Sequence, residues 1–199
     1  MIATTLLIAT NNRHKADEIG SILGPLPGLA LLTMADVPHC SHEPIEDGST
    51  LEENAYIKAR ELHVLSGFAT LADDTGLEVD HLCGSPGVHS ARYAGENATY
   101  EDNCRLLLDA MRDCPEGSRR ARFRTVVCYC DTLRSVMVEG VLSGTISSTS
   151  RGDHGFGYDP VFIPDGESRT LAEMSPQEKN AVSHRARAIR EFVRVMNEG

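Results

Sequence analysis

The chain has 199 residues, 41% of them hydrophobic, which is enough for one core or for a core divided between two lobes. Its 19 Lys and Arg against 29 Asp and Glu give a formal charge of -10. That balance argues against non-specific binding to nucleic acid or anionic membranes. Six cysteines without CxxC spacing fit reduced thiols, and no apolar run approaches the ~18 residues of a membrane helix. We expect a soluble cytoplasmic protein whose residues 1–199 form a single domain.

The N-terminal third alternates strands and helices. Residues 4–10 predict a buried strand rather than a signal peptide, because no basic leader precedes them. Apolar residues at helical spacing follow Asn12, and residues 29–33 predict a second strand. A polar loop that carries Glu46 then leads to a helix over residues 51–65.

The rest of the chain predicts a mixed sheet. Residues 68–72 predict a short strand that ends at Asp73 and Asp74, and Thr99 caps a helix to about Met111. Alternating residues in 121–131 and 135–147 predict a long hairpin. Hairpins together with crossovers indicate an α/β fold with a mixed β-sheet rather than a fully parallel one.

The first candidate site lies where the first strand meets its helix. A helix N-terminus beside a lysine attracts anions, because its amides and dipole are positive. The alternative is a purely structural N-cap, since Asn is a common capping residue and the P-loop spacing is absent. The residues concerned are Thr10, Asn11, Asn12, Arg13, His14 and Lys15.

The second candidate is the adjacent pair Asp73 and Asp74. Two neighbouring carboxylates at a strand end repel each other unless a cation lies between them, and Mg²⁺ prefers such oxygen ligands. Glu46 would complete the acidic group from its loop. The alternative is an exposed Asp-rich turn.

The third candidate is the turn of residues 155–160. Its two aromatic residues suit a nucleobase, although they are equally consistent with a tight turn whose aromatic side chains join the core. Pro160 replaces the last glycine of a dinucleotide fingerprint and the turn does not open a helix, which argues against that interpretation. The candidate residues are Phe156, Gly157, Tyr158 and Asp159.

The C-terminal region leaves two helix starts open. If Ser183 caps the last helix, His184 and Arg185 lie in a first turn where positive charge is unfavourable, which suggests that they serve a ligand. If the helix starts at Pro176, Lys179 and Arg185 are ordinary surface residues.

Two cysteine-containing groups are weaker candidates. His39 and His42 with Cys40 lack the second ligand pair of a typical metal site. Cys128 and Cys130, on one face of a strand, are interpreted as packing residues.

Five motifs in order resemble the inosine triphosphate pyrophosphatase family. They are TNNRHK at 10–15, ENAYIKA at 53–59, ADDTGLEVDHLCGSPGVHSARYAG at 72–95, GFGYDPVF at 155–162 and EKNAVSHRARA at 178–188. The resemblance implies an elongated mixed sheet flanked by helices, in two lobes with the active site in the cleft between them. It also implies a Mg²⁺-dependent homodimer that converts dITP, ITP and XTP to the monophosphate and pyrophosphate.

The resemblance also assigns roles. Asp74 would accept a proton from water and bind the metal with Glu46 and Asp73, and Lys58 would support phosphate binding. Thr75, where the family usually has Ser, would contact the substrate. The other substrate-binding residues implied are Thr10 to Lys15, Phe156, Gly157, Tyr158, Asp159, Lys179, His184 and Arg185.

Base selection follows from hydrogen-bond chemistry. Lys179 and Arg185 only donate, so they satisfy a 6-oxo group and reject the 6-amino group of adenine, although guanine shares the 6-oxo group. A sister family that cleaves pyrimidine nucleotides and a non-catalytic nucleotide-binding regulator remain the alternatives. A kinase lacks support because HRD and DFG motifs are absent.

Overall fold

The computed structural model describes residues 4–40 and 44–198. The strands are β1 (Thr5–Ile8), β2 (Ala30–Thr33), β3 (Ala69–Val79), β4 (Pro86–Gly87), β5 (Arg120–Cys130), β6 (Ser135–Ile146) and β7 (Phe162–Pro164). The α-helices are α1 (Arg13–Leu23), α2 (Leu51–Ser66), α3 (Tyr100–Ala110), α4 (Pro176–Val182) and α5 (His184–Glu198). None of the helices in this part of the chain has the length and apolar character that crossing a membrane requires.

The strands form one sheet in the order β2-β1-β3-β5-β6-β7, with β4 paired to β3. β1 is parallel to both β2 and β3, whereas β4 is antiparallel to β3 and β7 is antiparallel to β6. The mixed sheet predicted from the sequence is therefore confirmed.

The chain divides into two compact units. The first contains the chain up to Asp74, with Thr125–Gly140 and the residues from Arg185 onward, and the second contains Thr75–Arg124 and Val141–His184. Each unit has its own hydrophobic core, around Leu71, Tyr129 and Phe192 in the first and around Leu107, Phe123 and Phe162 in the second. The single functional domain and the cleft stay predictions.

Capping residues explain where the helices begin. The Thr50 side chain accepts the Glu53 amide at the start of α2, and Thr99 forms a capping box with Asp102 at α3. Gly67, with φ of 73°, ends α2 in the left-handed conformation that glycine adopts without a steric penalty.

The predicted end of the third strand is wrong. β3 does not stop before Asp73 but continues through both acids to Val79. The sequence suggested a turn because Asp, Thr and Gly follow one another, yet Gly76 lies within the strand. A Cβ there would lie 2.7 Å from the backbone oxygen of Gly87 on β4, so this glycine permits close strand pairing.

Both alternatives for the C-terminal helix are partly right. Ser175 and Glu178 form a capping box for α4, and Ser183 then separates α4 from α5, which begins at His184. However, Lys179 and Arg185 are not surface residues, since both are buried.

Candidate active site

β3 directs its two adjacent aspartates to opposite faces of the sheet. Successive side chains alternate along a strand, so Asp73 lies on the face of Leu71, and Asp74 lies on the other. Leu71 belongs to the first unit's core. The two carboxylates meet different partners, which explains how the chain places them side by side in sequence without uncompensated repulsion.

Asp74 faces helix α2. Its Oδ2 accepts a hydrogen bond from Asn54 Nδ2 at 3.3 Å, and its Oδ1 lies 3.6 Å from Lys58 Nζ. Asn54 and Lys58 are four residues apart, so both project from the same side of the helix. Lys58 Nζ also lies 3.0 Å from Glu46 Oε1. One ammonium group thus holds two carboxylates.

Asn54 also fixes the loop that carries Glu46. Its Oδ1 accepts the amide of Gly48 at 2.9 Å. A Cβ on Gly48 would lie 2.6 Å from that same Oδ1, so the close approach requires glycine. Asn54 was not among the predicted site residues. Its position one helical turn before Lys58, within the ENAYIKA motif, was the signal that could have found it.

The surroundings of Asp74 favour its protonated form more than water would. Burial raises the pKa of Asp74, and the positive charges of Lys58 and Lys15 only partly oppose that increase. Burial alone would lower the pKa of Lys58, but Asp74 and Glu46 outweigh it and raise that pKa. The result is a charged lysine beside a carboxylate with enhanced affinity for a proton, which suits a general base.

Asp73 has the opposite electrostatic environment. Arg185 donates to its Oδ2 from Nε at 3.1 Å and from Nη2 at 3.0 Å, and Lys15 Nζ lies 3.2 Å from the same oxygen. Burial would raise the pKa of Asp73, but the charges of Lys15 and Arg185 outweigh it and hold that pKa far below its usual range. Asp73 is therefore a permanently charged anchor for two cations.

Arg185 links Asp73 to helix α1. Its Nη1 donates to Glu18 Oε2 at 2.5 Å, so the guanidinium bridges two carboxylates. Arg185 is only 1% exposed. These contacts favour a role in holding Asp73, and contact between Arg185 and a nucleobase stays a prediction. Glu18 was missed from the sequence, although it follows Lys15 by one helical turn and lies on the same side of α1.

The three predicted acidic ligands are thus divided between two faces. Glu46 and Asp74 share Lys58, whereas Asp73 binds Lys15 and Arg185. Across residues 4–40 and 44–198, no three or more His, Cys, Asp or Glu side chains group in a way that could hold a metal ion. The described contacts therefore favour Glu46 and Asp74 over Asp73 as ligands.

The start of α1 is a capped helix. The Asn12 side chain accepts the amides of His14 and Lys15, and the Asn12 amide donates to Thr10 Oγ1. The N-cap interpretation is confirmed, and these three amides have internal acceptors. Burial lowers the pKa of Lys15 against the opposing charge of Asp73. Phosphate binding by residues 10–15, including the exposed Asn11 and Arg13, stays a prediction.

The second unit contains a separate group built on the turn of residues 155–160. Lys179 Nζ lies 2.5 Å from Asp159 Oδ2 and 4.6 Å from the centre of the Phe156 ring. Asp159 Oδ2 also accepts the Phe156 amide at 2.9 Å. Gly155 has φ of +75°, and a Cβ there would lie 2.1 Å from that oxygen. An ion pair with Asp159 and a cation–π contact with Phe156 thus hold the Lys179 ammonium group in place.

The aromatic residues of this turn have different roles. Tyr158 is buried in the second unit's core and donates to the Ser90 carbonyl at 3.0 Å, so the core interpretation is right for it. Phe156 is only half-buried, so part of its ring is accessible. Gly157, with φ of +65°, joins them.

His184 and Thr75 complete the predicted residues. The His184 ring is buried and packs 4.5 Å from the centre of the Phe123 ring. Thr75 is half-buried on β3, directly after Asp74. Substrate contact by either residue stays a prediction. The weaker group of His39, Cys40 and His42 includes His42, which lies outside the described residues.

Known proteins resemble nearly the whole chain. A model of the Ham1 family matches residues 6–195. A dITP/XTP pyrophosphatase from Leifsonia xyli is 46% identical over 96% of this chain and 94% of its own length. A dITP/XTP pyrophosphatase from Elusimicrobium minutum is 50% identical over 92% of this chain and 94% of its own length. The structure of a HAM1 protein from Coxiella burnetii superposes with a TM-score of 0.87 and 36% identity, covering 98% of this chain and 99% of its own.

Proposed function

The chain belongs to the Ham1 family, and on that basis we propose that it hydrolyses dITP, ITP and XTP to the monophosphate and pyrophosphate. The observation that carries the proposal is the environment of the Asp74 carboxylate. This carboxylate is held between Asn54 and Lys58, and burial raises its pKa, as general-base catalysis requires. Relatives named dITP/XTP pyrophosphatase share about half of the sequence over nearly its full length, which supports the substrate class.

In the proposed mechanism, Asp74 accepts a proton from the water that attacks the α-phosphorus. Asn54 and Lys58 fix the orientation of the carboxylate from one side of α2, so the base needs little reorganisation during reaction. Lys15, held by Asp73, contributes positive charge for the phosphates. Asp73 and Arg185 act through Lys15 in this scheme and need not touch the substrate.

The donor set fits a magnesium ion. The carboxylates of Glu46 and Asp74 both lie within 4.0 Å of the Lys58 ammonium group, so they are close to each other. Carboxylate oxygens are hard ligands, which Mg²⁺ prefers. We propose that these two residues hold Mg²⁺ together with the substrate. When bound, the ion would neutralise the negative charge of the pyrophosphate leaving group.

We assign recognition of the nucleobase to Phe156, Asp159 and Lys179 of the second unit. Phe156 offers an accessible aromatic face, and Lys179 offers donor hydrogens that match a 6-oxo purine. Asp159 holds Lys179 in position. The protein should therefore prefer dITP and XTP over dATP. We also propose a cytoplasmic homodimer, as the resemblance implies.

The decisive experiment is incubation with dITP and Mg²⁺, followed by separate assays for pyrophosphate and orthophosphate. We expect pyrophosphate and dIMP in equal amounts, at a higher kcat/KM than for dATP, dTTP or UTP. Release of orthophosphate alone would contradict cleavage of the α–β bond. Faster cleavage of dTTP or UTP than of dITP would assign the protein to a pyrimidine-specific activity instead.

The magnesium and dimer proposals need their own measurements. Chelation should abolish pyrophosphate release, and added Mg²⁺ should restore it. Sedimentation equilibrium at several protein concentrations should give twice the 21.6 kDa mass of one chain. Full activity in chelator, or a monomer at every concentration, would overturn the respective proposal.

A further inference from the structure

Helix α3 contacts the turn of residues 155–160 at two points. The centre of the Tyr100 ring lies 6.0 Å from the centre of the Phe156 ring, and the two ring planes are tilted by 47°. One helical turn further along α3, Cys104 Sγ donates to the Gly157 carbonyl at 3.3 Å. Residues four apart lie on the same side of a helix. One side of α3 therefore contacts two consecutive residues of the turn.

Phe156 depends on contacts from outside the turn for its orientation. It lies between Gly155 and Gly157, whose φ angles are +75° and +65°. Glycine permits many backbone conformations, so the local chain by itself restrains the Phe156 ring little. The ring is also only half-buried, so packing against the core restrains it only in part. Neighbouring side chains must fix the direction in which the ring faces.

The neighbours of Phe156 act on different parts of the residue. Asp159 Oδ2 accepts the Phe156 amide at 2.9 Å and so holds the backbone. Lys179 Nζ lies 4.6 Å from the centre of the ring and contacts its face. Tyr100 adds an aromatic contact, and its separation from Phe156 lies within the range of about 4.5–7 Å that favours aromatic pairs. Tyr100 thus restrains the ring itself.

The helix that carries Tyr100 is firmly held. Asn103 Oδ1 accepts the Ala94 amide at 2.8 Å, and its Nδ2 donates to the Ala91 carbonyl at 3.1 Å. Cys104 and Leu107 belong to the hydrophobic core of the second unit. The Tyr100 ring is therefore presented to Phe156 from a fixed support.

Packing alone does not account for an aromatic side chain at position 100. Tyr100 is 43% exposed, whereas Cys104 and Leu107 on the same helix are 5% and 0% exposed. An exposed ring removes little apolar surface from water, so it contributes less to stability than a buried one. Both rings of the Tyr100–Phe156 pair remain partly accessible, as a pair that meets a ligand must be.

We propose that Tyr100 is a positioning residue for nucleobase recognition, which holds the Phe156 ring in the orientation that stacks on a purine. This role rests on the nucleobase recognition proposed above. A ring that is ordered before binding loses less conformational freedom when the nucleotide arrives, so binding is tighter. Removing Tyr100 should therefore raise KM and leave kcat nearly unchanged, because bond cleavage takes place at the phosphates.

Steady-state kinetics of pyrophosphate release from dITP by the full-length protein test this role. In Tyr100→Ala, KM should rise about two- to tenfold, the range expected for one aromatic pair. Tyr100→Phe keeps the ring and should restore the wild-type KM. Leu106→Ala is the matched control, because Leu106 is an apolar residue of α3 with a similar exposure of 39%. Its KM should equal that of the wild type.

A substrate without a base separates base recognition from general damage to the protein. Deoxyribose triphosphate is dITP without its base, so its kcat/KM should be equal in the wild type and in Tyr100→Ala. Three results would each overturn the role of Tyr100. They are an unchanged KM for dITP in Tyr100→Ala, an equal loss for both substrates, and a Tyr100→Phe variant as impaired as Tyr100→Ala.

Failure of the proposed hydrolysis would give a different result. A wild-type protein that binds dITP without releasing pyrophosphate contradicts hydrolysis but not base recognition. The dissociation constants of dITP for the wild type and Tyr100→Ala, measured by calorimetry, then decide the role of Tyr100 by the same two- to tenfold criterion. A wild-type protein that does not bind dITP would overturn both proposals.

Discussion

The two faces of β3 give neighbouring aspartates opposite properties. Asp73 binds two cations and has a strongly lowered pKa, whereas Asp74 shares one lysine with Glu46 and has a raised pKa. Both carboxylates are buried, so burial alone does not decide the direction of the pKa. The balance of nearby charges decides it, because cations outweigh burial at Asp73, whereas at Asp74 the negative charges of Glu46 and Asp73 add to the effect of burial. The ion pairs therefore keep the Asp73 carboxylate charged, whereas the Asp74 carboxylate is suited to accept a proton.

The largest expected effect tests the Asp74 face. Asp74→Asn keeps the shape of the side chain but removes the base, so kcat for pyrophosphate release should fall by about 10²–10⁴-fold. Binding of dITP should persist. The measurements are steady-state kinetics and calorimetric titration with dITP. Asp80→Asn, at an exposed acid just after β3, is the matched control and should retain activity. A nearly normal kcat in Asp74→Asn would remove Asp74 from the mechanism.

The next effect concerns the Asp73 face. Asp73→Asn removes the negative charge that pairs with both Arg185 and Lys15. Because breaking a buried ion pair leaves an uncompensated charge, the free energy of unfolding should fall by about 3–5 kcal/mol. Urea denaturation measures that loss. Because the folded-state pKa of Asp73 is lowered, its contribution is present above the ordinary aspartate pKa and declines as the pH falls through the lowered value.

The difference in unfolding free energy between wild type and Asp73→Asn should accordingly shrink in acid. A constant difference from neutral to strongly acidic pH would show that Asp73 contributes through packing rather than charge. Asp80→Asn again serves as the control, and its stability should stay close to that of the wild type.

A smaller effect is expected from removing the positive charge of Lys58, which lies on α2 beside Asp74. Burial raises the pKa of Asp74, and Lys58 opposes that rise. In Lys58→Met the pKa of Asp74 should therefore increase further, and the acidic limb of kcat/KM should move to higher pH, since only the ionised base is active. The pH–rate profile measures this shift. A shift toward lower pH would contradict the assigned role of Lys58.

The smallest effect is expected at Glu18. Glu18→Gln removes a charge from Arg185 but keeps an acceptor, and Asp73 still holds the guanidinium, so stability should fall by roughly 1 kcal/mol. Thermal and urea denaturation measure the change, and kcat should stay within about twofold of the wild type. A loss of stability as large as that of Asp73→Asn would show that Glu18, and not Asp73, is the principal anchor of Arg185.

Local sequence signals were sufficient for most elements of the fold. Apolar periodicity predicted the helices, and the capping residues Thr99 and Ser175 predicted two of their starts, because these signals act within a few residues of the chain. The ordered motifs identified the family, which the comparisons confirm.

The partners of the site residues could not be predicted in the same way. Arg185 reaches Asp73 across 112 positions of the sequence, and no local pattern encodes a contact at that distance. The turn residues around Asp73 and Asp74 also suggested a strand end, whereas pairing with β4 extends the strand through them.

The sequence by itself determined the element types, the family and the set of residues available for chemistry. Only the tertiary structure decided that two adjacent aspartates have different partners and opposite pKa shifts. Strand alternation turned Asp73 toward Lys15 and Arg185 and Asp74 toward Asn54 and Lys58. A pKa depends on the charges and the burial around a group, and both are set by packing between distant segments.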